Sequence, residues 1–420
     1  MKAAILLMAL SVGAAQAAVK TCDARAAGAK GDGKTKDTAA LQKAIDSCSA
    51  KGGEVLLAEG TYLSGPLDLK SHVKLWLAKG ATLLGSPDVE DYPIRQDAPW
   101  RRVSLIHADK AEDIGIVGEG TVDGGGQMWW TRQLNRVKGE KEGERPMLID
   151  LTNSKNILIE GVTITNSPQY NILAVLCDGL TVRNARIINP GVKAPNTDGI
   201  DPVSTSHVTI DHVFIDTGDD NVAIKSGLVE RGDPDVPSTD IAIRDCTFLH
   251  GHGLSIGSET AGGIKNVTVE RVSFNGTTQG IRIKSARGRG NDVGNFSYKD
   301  ITMENVGTAI QITEYYTGFK GDEVAEAVTE HTPKFHDITI ENLTVKSAKL
   351  GLLAMGLPES PIKGLVLKNV TISAERGMVA RYVSIKEDGV SITSTGDDAK
   401  VGKKAEDGAG NGPGVVIVGK

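Results

Sequence analysis

A repeated pattern in the chain constrains its fold more than any other feature of the sequence. Short runs in which apolar and polar residues alternate recur eight times, separated by Asn, Asp or Gly. The eight segments are NILIEGVTITNS (156–167), GLTVRNARIINP (179–190), HVTIDHVFIDTG (207–218), DIAIRDCTFLHG (240–251), NVTVERVSFNGT (266–277), NFSYKDITMENV (295–306), DITIENLTVKSA (337–348) and GLVLKNVTISAE (364–375). Their starts lie 23, 28, 33, 26, 29, 42 and 27 residues apart. A unit of this length with variable insertions is typical of a solenoid.

The residue types within the repeat indicate which kind of solenoid forms. Alternation with a period of two and many β-branched residues exclude helical repeats. Propeller blades need roughly twice this period and usually more aromatic residues than the 4% found here. The repeat therefore predicts an all-β fold, a single-domain parallel β-helix with two or three short strands in each coil. Neighbouring coils would stack about 4.8 Å apart.

One segment has helical periodicity. In DTAALQKAIDSC (37–48), Asp37 or Thr38 is the predicted N-cap and one face of the helix is apolar. We expect this short helix to cap the first coil, because a solenoid exposes its end strands. Residues 18–395 are predicted to form one β-helix domain, and the Gly- and Lys-rich residues 396–420 a C-terminal cap or tail.

The start of the chain predicts export. Lys2 precedes an apolar run and Ala15-Gln16-Ala17 is a small-residue cleavage site, so residues 1–17 resemble a secretory signal peptide. The apolar run is too short to span a membrane. The sequence therefore predicts a secreted protein, extracellular or periplasmic, with no membrane partner.

Four cysteines follow this segment. An exported protein meets oxidising conditions, which permit disulfide bonds. Cys22 and Cys48 bracket the predicted turn and helix, so we favour a bond between them. Cys177 and Cys246 are expected to be reduced residues that fill the core.

The charge balance limits the possible partners. Lys and Arg number 47 and Asp and Glu number 53, which gives a formal net charge of −6. This balance excludes a nucleic-acid binder held by overall positive charge, so any basic site must be local. No nucleic-acid partner is expected, and the protein is expected to be a monomer.

A further short strand follows the repeat in successive coils. These strands are NTDGIDPVS (196–204), GDDNVAIKS (218–226), GHGLSIGS (251–258), GIRIKS (280–285) and AIQITE (309–314). Strict alternation along each strand predicts one inward column of apolar residues. Its members are Ile200, Val222, Leu254, Ile281 and Ile310.

Aligning the strands on this column brings polar residues from separate coils onto one outer face. Some of these residues come two or three positions before the inward residue of their strand, and the others point outward from the strand itself. The residues are Asp198, Asp219, Asp220, His252, Arg282 and Lys284. Single exposed polar residues are ordinary on a β-helix surface, but convergence of this whole set indicates a site.

The adjacent pair Asp219 and Asp220 carries a local consequence. Neighbouring residues in a regular strand face opposite ways, so the two carboxylates cannot both reach the same cleft from such a strand. Gly218 precedes them, and we expect a turn or bulge there that re-aims one side chain.

The chemistry of the set favours hydrolysis of a glycosidic bond in an anionic sugar. One carboxylic acid can protonate the leaving oxygen while another carboxylate activates water. Crowding of like charges raises the pKa of at least one of these carboxyls. Arg282 and Lys284, two residues apart on one face, can hold sugar carboxylates.

Four blocks in this order resemble the signature blocks of the polygalacturonase family, glycoside hydrolase family 28. They are NTDGID (196–201), GDD (218–220), GHG (251–253) and RIK (282–284), and the resemblance extends from GAKGDG (28–33) to about residue 385. The sequence segments around these blocks most resemble those of bacterial endopolygalacturonases. The resemblance implies a right-handed β-helix and hydrolysis of the α-1,4 bonds of homogalacturonan (pectate) with inversion, in an endo mode.

The resemblance also implies individual roles. Asp219 would be the general acid, Asp198 and Asp220 would together activate the water, and His252 would tune the acid's protonation. Arg282 and Lys284 would bind galacturonate carboxylates beside the scissile bond. A family Tyr aligns with Tyr316, although the neighbouring Tyr315 leaves the alignment ambiguous by one residue. The expected partner is polygalacturonate, and no metal or other cofactor is expected.

Several alternatives remain open on the sequence. An exo-acting polygalacturonase would share all of these blocks. A pectate lyase would use Ca²⁺, which Asp198, Asp219 and Asp220 could bind as oxygen ligands. The third alternative is a non-catalytic β-helix that binds a polysaccharide, which would not need a general acid next to two basic carboxylates.

Overall fold

A computed structural model of the chain provides the architecture. It describes residues 20–96, 98, 101–136, 144–189, 194–316, 318 and 324–395. The predicted signal peptide at residues 1–17 and the predicted cap or tail at 396–420 lie outside the described residues.

The strands form one parallel sheet that coils around the molecule, and three faces can be followed from coil to coil. Numbering follows the chain. The first face contains β1 (Thr21–Asp23), β3 (Gly53–Leu57), β6 (Val73–Leu77), β10 (Glu112–Gly118), β14 (Lys155–Glu160), β17 (Asp178–Arg183), β20 (Ser206–Asp211), β23 (Ser238–Arg244) and β26 (Ile264–Glu270). The second face contains β2 (Asp32–Lys36), β4 (Gly60–Ser64), β7 (Ala81–Gly85), β11 (Thr121–Asp123), β15 (Thr163–Thr165), β18 (Arg186–Ile188), β21 (Phe214–Asp216), β24 (Thr247–Leu249) and β27 (Ser273–Asn275).

The third face carries the short strands that follow each repeat. It contains β5 (Leu67–Asp68), β9 (Ile106–Asp109), β13 (Ile149–Thr152), β16 (Ile172–Val175), β19 (Ile200–Val203), β22 (Val222–Ile224), β25 (Leu254–Ile256), β28 (Gln279–Lys284) and β30 (Val306–Thr313). In the last coils the strands run on around the corners as β29 (Asp292–Glu304), β31 (Lys334–Met355), β32 (Ile362–Arg381) and β33 (Val383–Ser394). A separate pair joins β8 (Arg101–Arg102) to β12 (Arg145–Pro146). The all-β parallel β-helix predicted from the repeat is confirmed.

The core lies inside the coils and is built from stacked aliphatic columns. On the third face one column is paired residue by residue through consecutive strands. Its members, all with no exposed surface, are Ile172, Ile200, Val222, Leu254, Ile281, Ile310 and Leu352. Each buried aliphatic side chain contributes about 1.5–3 kcal/mol relative to an exposed one, which stabilises this register.

Asparagine recurs in the repeat because the turns between faces need left-handed backbone. Asn266, Asn295, Asn342 and Asn369 all have φ between 49° and 60°, a region that Asn tolerates better than most residues. Their side chains also stack: the Asn295 amide donates to Asn266 Oδ1 at 2.6 Å. The turn residues therefore fix the corners while the apolar residues fix the core.

The predicted capping helix is present as α1 (Thr38–Ser49), with Asp37 at the N-cap position. Its buried face, Leu41, Ala44, Ile45 and Cys48, matches the predicted apolar face. The Asp37 side chain caps no helix amide and instead accepts hydrogen bonds from the Lys30 and Gly31 amides.

The cysteine predictions are confirmed. Cys22 and Cys48 form a disulfide that ties β1 to the end of α1. Cys177 and Cys246 are unbonded and buried within the described part of the chain.

A second helix was missed by the sequence analysis. Helix α2 (Gln127–Leu134) buries Trp129 and Trp130 at the side of the coils, after a run of three glycines. Its single apolar turn is too short to show a helical period in the sequence. Neither helix in the described residues is long and apolar enough to cross a membrane.

Candidate active site

The third face aligns the sequence blocks as predicted. Val222 pairs with Ile200 and Leu254, and Leu254 pairs with Ile281. The outward positions stack in the same way, so that Ser255 pairs with both Ala223 and Arg282. Residues up to 86 positions apart, from Asp198 to Lys284, therefore meet on one outer face.

The turns leading into these strands are joined to one another. The Gly199 amide donates to the Asp220 carbonyl at 2.9 Å, and the His252 amide donates to the Asp219 carbonyl at 3.0 Å. Gly253 has φ +75°, and a Cβ there would lie 2.1 Å from the Gln279 carbonyl oxygen. The stacked, hydrogen-bonded turns thus fix the positions of the polar side chains relative to one another.

Both Asp219 and Asp220 lie outside the strand, in a bend that precedes β22. A Cβ on Gly218 would lie 2.3 Å from the Ala194 carbonyl oxygen, so only glycine fits this close approach. The Asp219 carboxylate accepts the Asp220 amide at 2.9 Å. The expected turn at Gly218 is confirmed, and it lets both carboxylates face His252.

Asp220 is held as a carboxylate by two cations. It is 3% exposed, and Lys284 Nζ donates to its Oδ2 at 2.9 Å. Arg282 donates to Oδ1 at 3.2 Å, and the Ser255 hydroxyl donates to Oδ1 at 2.7 Å. Burial alone would raise the pKa of Asp220, but Lys284 and Arg282 outweigh it and leave the pKa below its ordinary value.

Asp219 is more open to solvent and pairs with the imidazole. His252 Nδ1 lies 2.9 Å from Asp219 Oδ1 and 3.8 Å from Asp220 Oδ1. The His252 side chain is 37% exposed and that of Asp219 is 23% exposed. This carboxyl and its imidazole partner therefore border the open cleft, where a substrate can reach them.

Asp198 sits one coil earlier and is almost fully buried. Burial, followed by the like charges of Asp201 and Asp219, raises the pKa of Asp198 well above its ordinary value. The nearest cation is Lys225, whose Nζ lies 3.6 Å from Asp198 Oδ2. The two carboxylates assigned to water activation thus have pKa values shifted in opposite directions.

A buried ion pair beneath Asp198 was missed as part of the site. Lys225 Nζ donates to Asp201 Oδ2 at 2.6 Å, and Asp201 has no exposed surface. Asp201 lies in the NTDGID block and Lys225 follows the GDD block, so both were in view. Strand alternation places both side chains on the outer side of the coils. It does not show that the Lys225 side chain reaches Asp201 in the preceding coil.

The aromatic position beside the cations is Tyr316. Lys284 Nζ lies 5.4 Å from the centre of the Tyr316 ring, which is 43% exposed. Tyr315 is buried. Tyr316, rather than Tyr315, is therefore the exposed aromatic residue beside Lys284.

A pocket of about 280 Å³ opens next to these residues on the side of the earlier coils. Tyr170, Lys225, Arg231 and Glu259 are among the residues that line it. Arg231 comes from the insert in the 33-residue spacing, within a short 3₁₀ turn, Val229–Arg231. A larger groove of about 570 Å³ lies elsewhere, bordered by Gly276 and Thr395, and none of the site residues lines it.

The arrangement does not suit a calcium ion. Asp219, Asp220 and His252 each offer a ligand atom within 4.8 Å of the others. However, both oxygens of Asp220 accept hydrogen bonds from Arg282, Lys284 or Ser255. A divalent cation would have to displace these donors and lie against two fixed positive charges. The cation-clamped carboxylate argues against the Ca²⁺-dependent lyase alternative.

Comparison with known proteins identifies the family of the chain. The sequence profile of "Glycosyl hydrolases family 28" matches residues 48–394. An endo-polygalacturonase of Pectobacterium carotovorum subsp. carotovorum is 33% identical over 371 residues, covering 83% of this chain and 87% of that protein. The solved polygalacturonase from Erwinia carotovora ssp. carotovora has a TM-score of 0.71 at 30% identity, covering 89% of this chain and 96% of its own. A hyperthermoactive exopolygalacturonase from Thermotoga maritima has a TM-score of 0.76 at 27% identity, covering 89% and 93%.

Proposed function

The chain belongs to glycosyl hydrolases family 28, and from this premise we propose that the cleft around Asp219 and Asp220 hydrolyses α-1,4-galacturonosyl bonds in homogalacturonan. One observation carries the assignment to this cleft. A carboxylate clamped by Lys284 and Arg282 lies directly beside a second carboxyl that pairs with an imidazole. An ionised carboxylate, a candidate acid and cations suited to an anionic sugar therefore lie close together, which supports the proposal.

The proposed mechanism divides the work among three carboxyls. Asp219, at the open cleft beside His252, donates a proton to the leaving glycosidic oxygen. Asp220 stays ionised and orients the attacking water. Asp198, in its ionised form, takes the proton from that water. Displacement on the side opposite the leaving group inverts the anomeric centre.

Substrate binding is assigned to the exposed edge of the same cleft. Arg282 retains guanidinium donors beyond the one that binds Asp220, and a sugar carboxylate is a suitable bidentate partner. Tyr316 offers an exposed aromatic face next to Lys284 on which a sugar ring can stack. Such local cations are needed because the chain as a whole carries a net charge of −6.

The experiment that tests this function is digestion of polygalacturonate with a chelator present. We expect saturated products with new reducing ends, formed at the same rate with and without the chelator. Unsaturated, ultraviolet-absorbing products that require Ca²⁺ would mean β-elimination and would overturn the hydrolase proposal. Binding without any cleavage would instead favour a non-catalytic polysaccharide-binding β-helix.

We also propose an endo mode of cleavage. This mode is supported by two Pectobacterium endo-polygalacturonases, each 33% identical to this chain. Early digestion products should then be oligomers of mixed length. Release of only monomer or dimer from the start would assign exo cleavage instead.

The proposed setting is outside the cytoplasm, with the protein acting as a monomer on the polysaccharide. The Cys22–Cys48 bond supports an oxidising compartment. Detection of the mature protein, lacking residues 1–17, in the medium or periplasm would test export. Full-length protein retained in the cytoplasm would contradict it.

A further inference from the structure

The ion pair beneath Asp198 has no part in the reaction as described so far. Lys225 Nζ lies 2.6 Å from Asp201 Oδ2, 3.6 Å from Asp198 Oδ2 and 4.5 Å from the centre of the Tyr170 ring. The Lys225 side chain is only 9% exposed. Its ammonium therefore bridges two carboxylates, one fully buried and one beside the cleft.

Stability alone gives a weak reason for such a pair. Removing two charges from water costs several kcal/mol per ion, and apolar replacement of a buried pair is often neutral or stabilising. Asp201 is also imperfectly satisfied, since its Oδ1 accepts no hydrogen bond within the described residues. A cation held at this position is better explained by the group on its other side, which is Asp198.

Asp198 needs a cation because it lies among acids. The charged and titratable groups around Asp198 and Lys225 are Tyr170, Asp201, Asp219, Asp220 and Glu259. Asp220 has Lys284 and Arg282 as its own cations, and within the described residues Lys225 is the cation in ion-pair distance of Asp198. Without Lys225, Asp198 would hold a proton more firmly, and less of its ionised form would be present to accept a proton from water.

We propose that Lys225 is a positioning residue for catalysis: its ammonium, anchored by Asp201, orients the Asp198 carboxylate and favours its ionised form. The inference rests on the proposed function, because it assigns Lys225 a role only through Asp198 as a proton acceptor. Within the described residues, the ion pairs of Lys225 are with Asp198 and Asp201, not with the proposed acid, Asp219. It therefore acts on the base, from the side of the pocket that it helps to line.

The test measures kcat and KM on polygalacturonate across pH for Lys225→Met. We expect kcat to fall about tenfold or more, with little change in KM. The acidic limb of the kcat profile should move to higher pH by about one unit, since loss of a neighbouring cation raises the pKa of a carboxyl. An unmoved limb, or a rise in KM alone, would overturn the proposal in favour of direct substrate binding by Lys225.

A second variant separates catalysis from folding. Lys225→Met combined with Asp201→Leu removes both charges, so no unpaired ion remains buried. The proposal predicts that this double variant keeps the low kcat, because the ammonium that orients Asp198 is still missing. Its acidic limb should return towards the wild-type position, since the negative charge of Asp201, which raises the pKa of Asp198, is removed as well. Recovery of the wild-type kcat would show that the pair is structural, which contradicts the proposal.

A matched control is Lys265→Met, which removes a surface lysine paired with Asp292 at 2.7 Å. Its kcat and its pH profile should match those of the wild type. Lys225→Arg keeps a cation and should retain the wild-type limb. If the wild type releases no reducing ends, the proposed function fails; if it does but the Lys225→Met limb stays in place, only this inference fails.

Discussion

At the scale of single residues, two adjacent acids are given different environments. Asp220 is buried and clamped by Lys284, Arg282 and Ser255, whereas Asp219 faces the cleft and pairs with His252. The sequence predicted that these residues would converge, because strand alternation fixes which side each one faces. It could not predict the clamp on Asp220, since side-chain reach across three coils is not encoded in any spacing.

Replacement of the proposed acid gives the first prediction. Asp219→Asn removes the transferable proton and should lower kcat by about 10²–10⁴-fold, while the dissociation constant for oligogalacturonate stays nearly unchanged. Reducing-end release and isothermal calorimetry measure the two quantities. Asp240→Asn, at an exposed position where an amide can accept the Asn266 hydrogen bond, is the control. Unchanged turnover in Asp219→Asn would remove Asp219 from the mechanism.

At the scale of elements, the repeat predicted the strands well and the insertions poorly. Core columns recur from coil to coil, and residues that tolerate left-handed backbone, many of them Asn, recur at the corners, so their pattern is visible in the sequence. Helix α2 and the 3₁₀ turn with Arg231 occur once each, in segments between repeats. The missed Lys225–Asp201 pair joins the residue after β22 to β19, and alternation shows which side each residue faces but not that the two side chains meet. The structure of the repeated segments can thus be predicted from the sequence, whereas that of elements that occur only once cannot.

The disulfide of the N-terminal cap gives the second prediction. It closes a loop with a sequence separation of 26 residues. Replacing Cys22 and Cys48 together by Ala should lower the free energy of unfolding by about 2–4 kcal/mol. Denaturant unfolding of the variant should match that of the wild type in reductant, since Cys177 and Cys246 are already free. Equal stability of the oxidised wild type and the variant would show that the bond contributes nothing.

A buried carboxyl at the end of β30 gives the third prediction. Glu314 is 1% exposed, and burial raises its pKa to about 8 from an ordinary value of 4.5. Its Oε2 accepts the Leu357 amide at 2.7 Å, which joins β30 to the loop after β31. Because the folded state binds this proton more tightly than the unfolded state, the contribution of Glu314 to stability should be largest below pH 4.5 and be lost as pH rises towards 8.

Glu314→Gln mimics the protonated side chain and should remove this loss. Urea unfolding gives the free energy of unfolding of both proteins at about pH 5 and about pH 9. Between these pH values it should fall more for the wild type than for Glu314→Gln, by an amount on the order of a few kcal/mol. Both proteins share every other titrating group, so the difference isolates Glu314. Parallel declines would contradict a buried, protonated Glu314.

At the scale of the whole molecule, one architectural fact underlies the function. Stacked coils in a common register bring short blocks from distant parts of the chain onto one face, as the Ile200, Val222, Leu254 and Ile281 pairings show. The register follows from core packing, so the hydrophobic column and the active site are consequences of one alignment. A chain with net negative charge thereby presents a local positive cleft edge to an anionic polymer.

The stereochemistry of cleavage tests this account most directly. If Asp198 and Asp220 direct water while Asp219 protonates the leaving oxygen, each cut of the α-linked polymer must first yield a β-configured reducing end. Proton NMR during the first minutes of digestion, before mutarotation, follows the new anomeric signals. Initial β-anomer is the predicted result; initial α-anomer would mean a covalent intermediate on one of these carboxylates and would contradict the account.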